Sequence, residues 1–401
     1  MSRKMKNTKN YSIPGFLFGS VSCGIKNRKD DLAIIYAEQP ATAAAIFTTN
    51  RLKAAPVLLG MDRIKKGVCQ ALLLNSGHAN AMTGSEGEKA AKATTLAIAR
   101  NLKIPPSLVI PSSTGLIGGK FPAEKITKAL PRLVSTLSPG GAKKAAGAII
   151  TTDKFVKIAS RKIKIGGKTG TVRAIGKGAG MINPNMATML CFVLTDVKIS
   201  KSFAAKTLRE AAGTSFNRII VDGEMSTNDS VFLLSSGAAE NKTISSASPD
   251  GRRFSKAVSE VCFDIAQMIV QDGEGATKVA RIEVEGAKNV ADADKAARAV
   301  GNSLLVKCAL FGEDPNFGRI ASAAGASGVK FNPAKLDIWI DKLKVVSRGK
   351  ETQNAEKKAA KLMKKSEFTI KIRFSEGKAK AFVLASDLSL DYVRLNSEYR
   401  S

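Results

Sequence analysis

The sequence is poor in the residue types on which many active sites depend. Its 401 residues include a single histidine, His78. One histidine excludes a His-rich metal site and an HExxH helix. The five cysteines are far apart and form no CxxC pair: Cys23, Cys69, Cys191, Cys262 and Cys308. Such a scattered, odd-numbered set indicates reduced thiols and no disulfide framework. If the chain is an enzyme, its base is expected to be a group other than imidazole.

Long apolar runs are also absent. No stretch reaches the roughly 18 consecutive apolar residues of a membrane span, and the basic start MSRKMKNTKNYS lacks the apolar region of a signal peptide. We therefore expect a soluble, cytoplasmic protein. At 401 residues and 44% hydrophobic composition, the chain is long enough for a substantial core and two or three domains.

The net charge of +29, from 63 Lys and Arg against 34 Asp and Glu, is typical of proteins that bind polyanions. The basic residues are spread along the chain, however, and aromatic residues make up only 5% of it. A groove of basic side chains with stacking rings is therefore not indicated. A solvated basic surface is favoured. The alternative is a nucleic-acid-binding protein whose chain stays intact.

Apolar patterns predict alternating strands and helices, hence an α/β or α+β protein. Residues 71–74 read as a buried strand, and Ser85 with Glu88 as a capping box that opens a helix to Leu102. A strand over 108–110 is predicted to stop at Pro111, and 112–115 to form a tight turn.

Further helices are predicted over 121–137, 142–150 and 254–269, and a buried strand over 189–194. Beyond about Asn332, lysine-rich alternation predicts a smaller β-rich region with one polar face.

Glycines accumulate between Gly166 and Gly180, but no nucleotide motif results. Gly167-Lys168-Thr169 resembles the end of a P-loop, yet the position that requires the first glycine is Lys162. The run that starts at Gly176 resembles a dinucleotide fingerprint, yet its sixth position is Met181. Both nucleotide readings therefore fail on spacing.

The strongest local motif is KGAGMINPNMATML, residues 177–190. Glycines and Pro184 lead the backbone to Ala187 and Thr188, immediately before an apolar strand. Such a joint would expose the Ala187 carbonyl to the Thr188 hydroxyl. Cleavage there would give Thr188 an α-amine with a pKa of about 7.7–8.0, which can deprotonate its own hydroxyl. The local pattern alone favours the simpler alternative of a β-branched residue entering a strand.

This motif resembles the self-processing site of the glutamate N-acetyltransferase family, also called ornithine acetyltransferases. The resemblance extends along nearly the whole chain, through PGF (14–16), FTTN (47–50), NSG (75–77), STGLIG (113–118), TTD (151–153), SFN (215–217), STND (226–229), DGEGATK (272–278), DPN (314–316) and YVRLN (392–396). It implies a layered α/β (α+β) sandwich of the ornithine acetyltransferase type. Strands from both cleavage products would share a sheet, and a smaller C-terminal α/β region would begin at about residue 285.

The resemblance also implies cleavage between Ala187 and Thr188. The products would be an α chain (1–187) and a β chain (188–401), which stay together, with two copies of each as the default assembly. Thr188 would take acetyl from N2-acetylornithine, release ornithine and pass the acetyl group to glutamate. No cofactor or metal is expected, and acetyl-CoA is a further donor that the resemblance allows. The remaining alternative is a self-cleaving amidohydrolase in which water replaces glutamate.

Site residues carry over by motif. Thr114 and Gly115 match the oxyanion-hole pair, in which a hydroxyl and an unshielded backbone N–H stabilise the tetrahedral oxyanion. Thr188 and five further residues match substrate contacts: Thr152, Lys177, Glu274, Asn396 and Ser401. A lysine and a glutamate suit a substrate with a carboxylate and a distal ammonium. Three positions depart from the usual family residue: His78, Phe317 and Ser401.

Overall fold

The computed structural model describes residues 11–183 and 189–398. Within these ranges the chain forms fifteen strands and eleven α-helices. The strands are β1 (Phe16–Val21), β2 (Leu32–Phe47), β3 (Val68–His78), β4 (Val109–Leu116), β5 (Lys157–Ile165), β6 (Lys168–Lys177), β7 (Leu190–Thr195), β8 (Ile219–Ile220), β9 (Ser230–Ser235), β10 (Val279–Ala287), β11 (Asp337–Ile340), β12 (Leu343–Ser347), β13 (Lys350–Glu351), β14 (Glu367–Arg373) and β15 (Ala379–Ser386). The helices are α1 (Ala55–Arg63), α2 (Gly84–Leu102), α3 (Ala123–Ser135), α4 (Ala142–Ile149), α5 (Lys201–Thr214), α6 (Pro249–Gln271), α7 (Val290–Asn302), α8 (Leu304–Phe311), α9 (Phe317–Gly325), α10 (Ala355–Met363) and α11 (Leu390–Glu398).

Eight strands form the first sheet, in the order β4-β3-β2-β9-β7-β6-β5, with β1 paired to β2. β7 is antiparallel to β6 and parallel to β9. All six residues of β7 are buried, as are all six of β9. Their continuous apolar sequences are typical of strands whose two faces are both covered. The strand predicted over 189–194 is therefore confirmed, and it lies in the interior of the sheet, between β6 and β9.

Helices cover both faces of the first sheet. The helix α4 packs on one face, and α5 and α6 pack on the other. Residues at helical spacing, including Phe254, Val258, Val261 and Ile265, give α6 its buried face. Phe263 on α6 also contacts Phe382 on β15, so α6 lies between the first sheet and the second. None of the helices in the described ranges combines the length and apolar character that a membrane span requires.

The second sheet has seven strands, in the order β13-β12-β11-β14-β10-β15-β8. Its core side packs on apolar residues of α7, α8, α9 and α10. Residues of β14 alternate between buried and partly or fully exposed, as the lysine-rich alternation predicted. Together the two sheets and their helix layers form the layered α/β (α+β) sandwich that was expected.

The prediction that a strand stops at Pro111 is wrong. β4 runs on through Pro111 to Leu116, so Ser112, Ser113 and Thr114 are buried strand residues and not an exposed turn. Pro111 is tolerated because β4 is the edge strand of the first sheet, where one side of the backbone has no ladder partner.

The predicted capping box at Ser85 is also wrong. The helix α2 begins at Gly84, and Ser85 lies inside its first turn without a capping hydrogen bond. The side chain of Asn80 makes hydrogen bonds at this end of the helix instead. Its Nδ2 donates to the Gly87 carbonyl at 3.0 Å, and its Oδ1 accepts from the Thr83 hydroxyl at 2.9 Å.

Candidate active site

A cleft opens where the ends of β4 and β6 meet the loop that follows α6. Six residues predicted from sequence line it: Thr114, Gly115, Thr152, Lys177, Glu274 and Asn396. Ser226, Thr227 and Asn228, which precede β9, also line it. The structure therefore brings together residues that are up to 282 positions apart in the chain. The predicted residues Ala187, Thr188 and Ser401 lie outside the described residues.

Thr114 and Gly115 occupy the end of β4, beside Gly77 of β3. Gly115 has a φ of +128°, and a Cβ there would lie 2.3 Å from the carbonyl carbon of Gly77. No residue with a side chain can replace Gly115 without moving the backbone. The close approach of β3 and β4 fixes the position of the adjacent Thr114 hydroxyl.

Lys177, the last residue of β6, extends into the cleft and is buried. Its Nζ donates to the hydroxyl oxygens of Thr151 at 2.9 Å and Thr114 at 3.2 Å. Because the Thr114 oxygen accepts this bond, its own hydrogen is available to a group in the cleft. Burial lowers the pKa of Lys177, and Asp153, with a carboxylate oxygen 3.9 Å from Nζ, opposes that shift.

A buried ion network supports the cleft. The Lys157 ammonium donates to Asp153 at 2.7 Å and to Asp272, and all three side chains are fully buried. Asp153 also accepts the N–H groups of Gly178 at 2.7 Å and Thr151 at 3.1 Å. These contacts join the loop before β5, the loop after β6 and the end of α6. Each of these segments carries or adjoins a predicted site residue.

The Asp153 carboxyl is charged at neutral pH. Burial alone would raise its pKa, but Lys177 and Lys157 together with the Gly178 N–H lower the pKa of Asp153 to about 2. A buried carboxylate with several donors is stable in this way because each donor interacts with the charged form. The lysine and carboxylate charges therefore compensate one another beneath the cleft.

Glu274 is held from two sides. Its backbone N–H donates to the Ala179 carbonyl at 2.8 Å, and the Nδ2 of Asn396 on α11 donates to its Oε2 at 2.9 Å. A Cβ on Gly180 would lie 2.4 Å from the same carboxylate oxygen, so a side chain at 180 would collide with Glu274. Glu274 thus places a carboxyl group in the same cleft as Lys177.

Two acidic residues hold the chain on either side of segment 184–188. Asp222 accepts the N–H groups of Met181 at 2.5 Å and Ile182 at 2.8 Å. On the far side, Asp229 accepts the N–H of Met189 at 2.8 Å. Burial raises the pKa of both carboxyls. The described residues on either side of the segment that carries the predicted cleavage site are therefore held by side chains of the C-terminal half.

The sequence prediction missed several of these groups. Asn228 donates through Nδ2 to the carbonyls of Ala79 at 2.6 Å and Ser113 at 2.9 Å, joining the loops around the cleft. It lies within the STND match, but no role was inferred for it. The sequence did not indicate the buried role of Lys157, because a single lysine at the start of a strand resembles the many surface lysines of this chain.

His78 is the last residue of β3 and is buried. Its Nδ1 accepts the Asn80 N–H at 3.0 Å, and its ring packs edge-on against Phe121. Burial lowers the pKa of His78, so the ring is neutral near pH 7. Across residues 11–183 and 189–398, no three His, Cys, Asp or Glu side chains are grouped so as to hold a metal ion.

The sequence is similar to proteins of one family over nearly its whole length. The sequence profile of the ArgJ family matches residues 17–401. The arginine biosynthesis bifunctional protein ArgJ of Geobacter sulfurreducens is 43% identical over 392 residues, which are 97% of this chain and 100% of that protein. The protein of the same name from Caldanaerobacter subterraneus is 44% identical over 96% of this chain and 97% of its own.

Solved structures include similar chains. The crystal structure of the arginine biosynthesis bifunctional protein ArgJ from Bacillus halodurans is 38% identical, with a TM-score of 0.50. The match covers 52% of the present chain and 98% of the B. halodurans chain. The ornithine acetyltransferase from Mycobacterium tuberculosis, complexed with ornithine, is 32% identical with a TM-score of 0.39, over 44% of this chain and 96% of that chain.

The buried network predicts a large effect of Lys157→Met. The substitution removes the ammonium and leaves Asp153 and Asp272 buried beside each other, so the free energy of unfolding should fall by about 3–5 kcal/mol. Urea denaturation followed by circular dichroism measures the change. The control is Lys206→Met, in an exposed pair with Glu210, which should change stability by less than about 0.5 kcal/mol. Equal effects of the two substitutions would contradict a supporting role for Lys157.

Proposed function

The chain belongs to the ArgJ family, and on this premise we propose that it is a self-cleaving acetyltransferase of arginine biosynthesis. It moves an acetyl group from N2-acetylornithine to glutamate through the hydroxyl of Thr188. The observation that carries the proposal is the cleft in which Thr114, Lys177 and Glu274 meet. Met181, shortly before segment 184–188, lines this cleft. Met189, just after the segment, donates its N–H to Asp229, the residue after the lining residue Asn228.

The first step of the proposal is cleavage of the chain itself. The Thr188 hydroxyl attacks the Ala187 carbonyl carbon, the amide bond breaks, and the Thr188 nitrogen takes the proton. Water then hydrolyses the ester between the two residues, which leaves a carboxyl group on Ala187 and a free hydroxyl beside the free α-amine of Thr188. A division near the middle of the chain agrees with the solved B. halodurans chain, which matches 52% of the present chain over 98% of its own length.

The second step is acetyl transfer. The α-amine of Thr188 takes the hydroxyl proton while Oγ attacks the acetyl carbon of N2-acetylornithine. The amide bond breaks, the proton passes to the ornithine nitrogen, and an acetyl ester remains on Oγ. The amine of glutamate then attacks this ester, a new amide forms, and the proton returns to Oγ. Acetyl-CoA is proposed as a second donor to the same hydroxyl, since the relatives' names describe bifunctional proteins.

The cleft supports these steps electrostatically. The free hydrogen of the Thr114 hydroxyl and the backbone beside Gly115 provide donors for the tetrahedral oxyanion. Lys177 orients the Thr114 hydroxyl by donating to its oxygen at 3.2 Å, and adds positive potential beside the developing charge. Glu274 is a counter-ion for the substrate ammonium, and Thr152 and Asn396 add hydrogen bonds. For the assembly we propose two copies of each cleavage product.

The test of the proposal is Thr188→Ala. The variant lacks the nucleophile of both steps, so it should remain one full-length chain and release no ornithine from N2-acetylornithine. Intact-mass analysis and an ornithine assay measure the two effects. In the unsubstituted protein, ornithine release should require glutamate beyond the first turnover. Steady release without glutamate would favour hydrolysis by water, and normal transfer by Thr188→Ala would contradict the proposal.

A second prediction concerns Thr114→Val, which keeps the shape of the side chain and removes the hydroxyl. Loss of one oxyanion donor should lower kcat by about 10²–10³-fold, with a smaller change in KM. The control is Thr94→Val, a buried threonine of α2 whose hydroxyl donates to helix carbonyls outside the cleft. A kcat within about threefold of the parent for Thr114→Val would show that this hydroxyl is not such a donor.

A further inference from the structure

Asn228, in the loop before β9, is a buried carboxamide that the steps above leave without a role. Its Nδ2 donates to the carbonyl oxygens of Ala79 at 2.6 Å and Ser113 at 2.9 Å. Its Oδ1 accepts the hydroxyl hydrogen of Thr227 at 2.5 Å. A carboxamide nitrogen carries two hydrogens, so each carbonyl takes one of them. The side chain therefore bridges the loop after β3 and the end of β4.

Ser113 is the residue before Thr114 of the predicted oxyanion hole, and it is held at two points. Its hydroxyl donates to Oδ1 of Asn75 on β3 at 2.6 Å, and its carbonyl oxygen accepts from Asn228. β4 is the edge strand of the first sheet, and among the described strands β3 alone pairs with it. Hydrogen bonds from buried side chains therefore add to the strand pairing at this end of β4.

The bond to the Ser113 carbonyl fixes more than one atom. A peptide group is planar, so the plane of the Ser113 carbonyl also contains the N–H and the Cα of Thr114. That Cα carries the hydroxyl that serves as an oxyanion donor in the proposed reaction. A rotation of the plane would move this hydroxyl relative to Lys177, whose Nζ donates to it at 3.2 Å. Oxyanion donors are effective only when they already lie about 2.7–3.1 Å from the position of the charge.

The other contacts of Asn228 fix the rotation of its carboxamide. Oδ1 is held by the Thr227 hydroxyl, and one N–H is held by the Ala79 carbonyl. The other N–H is thereby directed at Ser113. Ala79 is itself attached to β4, because its N–H donates to the Leu116 carbonyl at 2.9 Å. The donor to Ser113 is therefore part of a buried set of bonds that closes around the end of β4.

We propose that Asn228 is a positioning residue for the oxyanion hole: its hydrogen bond to the Ser113 carbonyl sets the peptide plane from which the Thr114 hydroxyl extends. The inference rests on the proposed function, because an oxyanion forms only if an acetyl group is transferred. Asn228 follows the proposed cleavage site in the sequence, whereas Ala79, Ser113 and Thr114 precede it. One cleavage product therefore orients an oxyanion donor that belongs to the other.

The test is Asn228→Ala, which removes both donated hydrogen bonds and introduces no charge. We expect the variant to cleave itself into the same two fragments. Its kcat should fall at least about tenfold with KM for N2-acetylornithine within about threefold, because the oxyanion donor is present but misplaced. Rates are divided by the cleaved fraction, which intact-mass analysis measures.

A double-mutant cycle with Thr114→Val separates this role from a purely structural one. If Asn228 acts through the Thr114 hydroxyl, its removal has little left to disturb once that hydroxyl is gone. The double variant should then have a kcat within about threefold of that of Thr114→Val alone. Two independent losses would instead multiply. A side chain that only stabilises the fold would not give a loss of kcat that depends on the Thr114 hydroxyl.

The matched control is Asn241→Ala. Asn241 is also buried, and its Nδ2 likewise donates to two carbonyl oxygens, of Lys198 at 3.1 Å and Lys242 at 2.8 Å. These residues follow the last residue of β7, whereas Lys177 of the cleft pairs with its first residue. The control should keep the parent's kcat and KM although it loses the same kind of bonds. Denaturation midpoints of the two variants show whether a loss of activity reflects stability alone.

The contrary outcomes are distinct. A kcat of Asn228→Ala equal to the parent's, or a loss that multiplies fully with that of Thr114→Val, would overturn the inference and leave the proposed function intact. A folded variant that never cleaves would assign Asn228 to the cleavage step instead, and would also overturn it. Absence of ornithine release by the parent protein would refute the proposed function itself.

A variant that does not fold is replaced by Asn228→Asp in the same cycle. The carboxyl group has the shape of the carboxamide and keeps the oxygen that accepts from Thr227, but it lacks the NH2 group. The same fall in kcat and the same dependence on the Thr114 hydroxyl are expected. Failure of both Asn228 variants to fold, with a folded Asn241→Ala, would show a structural role and overturn the inference.

Discussion

The cleft depends on one buried ammonium. Lys157 binds Asp153 and Asp272, and Asp153 in turn accepts the backbone N–H of Gly178 and faces Lys177. Charges buried in this way are stable only when each has a partner. The loop before β5, the loop after β6 and the end of α6 must therefore come together in one geometry before their charged side chains can be buried. The positions of the cleft residues above the network follow from this electrostatic requirement.

The sheet topology explains how a chain could be cut at its centre and remain one body. β6 precedes segment 184–188 and β7 follows it, yet the two strands pair along six residues, and β7 also pairs with β9. β9 in turn pairs with β2 from the N-terminal half. Strands before and after the segment therefore share one sheet and one core. Separating them would expose apolar surface on both parts and break the ladders between them, a large cost in free energy.

Sequence patterns predicted the buried strands and amphipathic helices well, because burial on one or both faces leaves a periodic signature. The helix α6 and the strands β7 and β14 are examples. Patterns failed where tertiary context overrides local preference: the edge position of β4 allows Pro111, and Asn80 sets the start of α2. Motif resemblance identified the cleft residues Thr114, Lys177 and Glu274. It did not indicate Lys157 or Asp229, because the value of a buried charge depends on partners that only the folded chain brings together.

In the proposed reaction the Thr188 hydroxyl carries the acetyl group between donor and acceptor. The most direct measurement is to incubate the enzyme with N2-acetylornithine in the absence of glutamate, quench with acid, and map the acetyl group by peptide mass spectrometry. We predict one added acetyl group, on the fragment that begins with Thr188, as an ester that glutamate removes. An acetyl group on any other residue, or transfer without any acetylated enzyme, would contradict it.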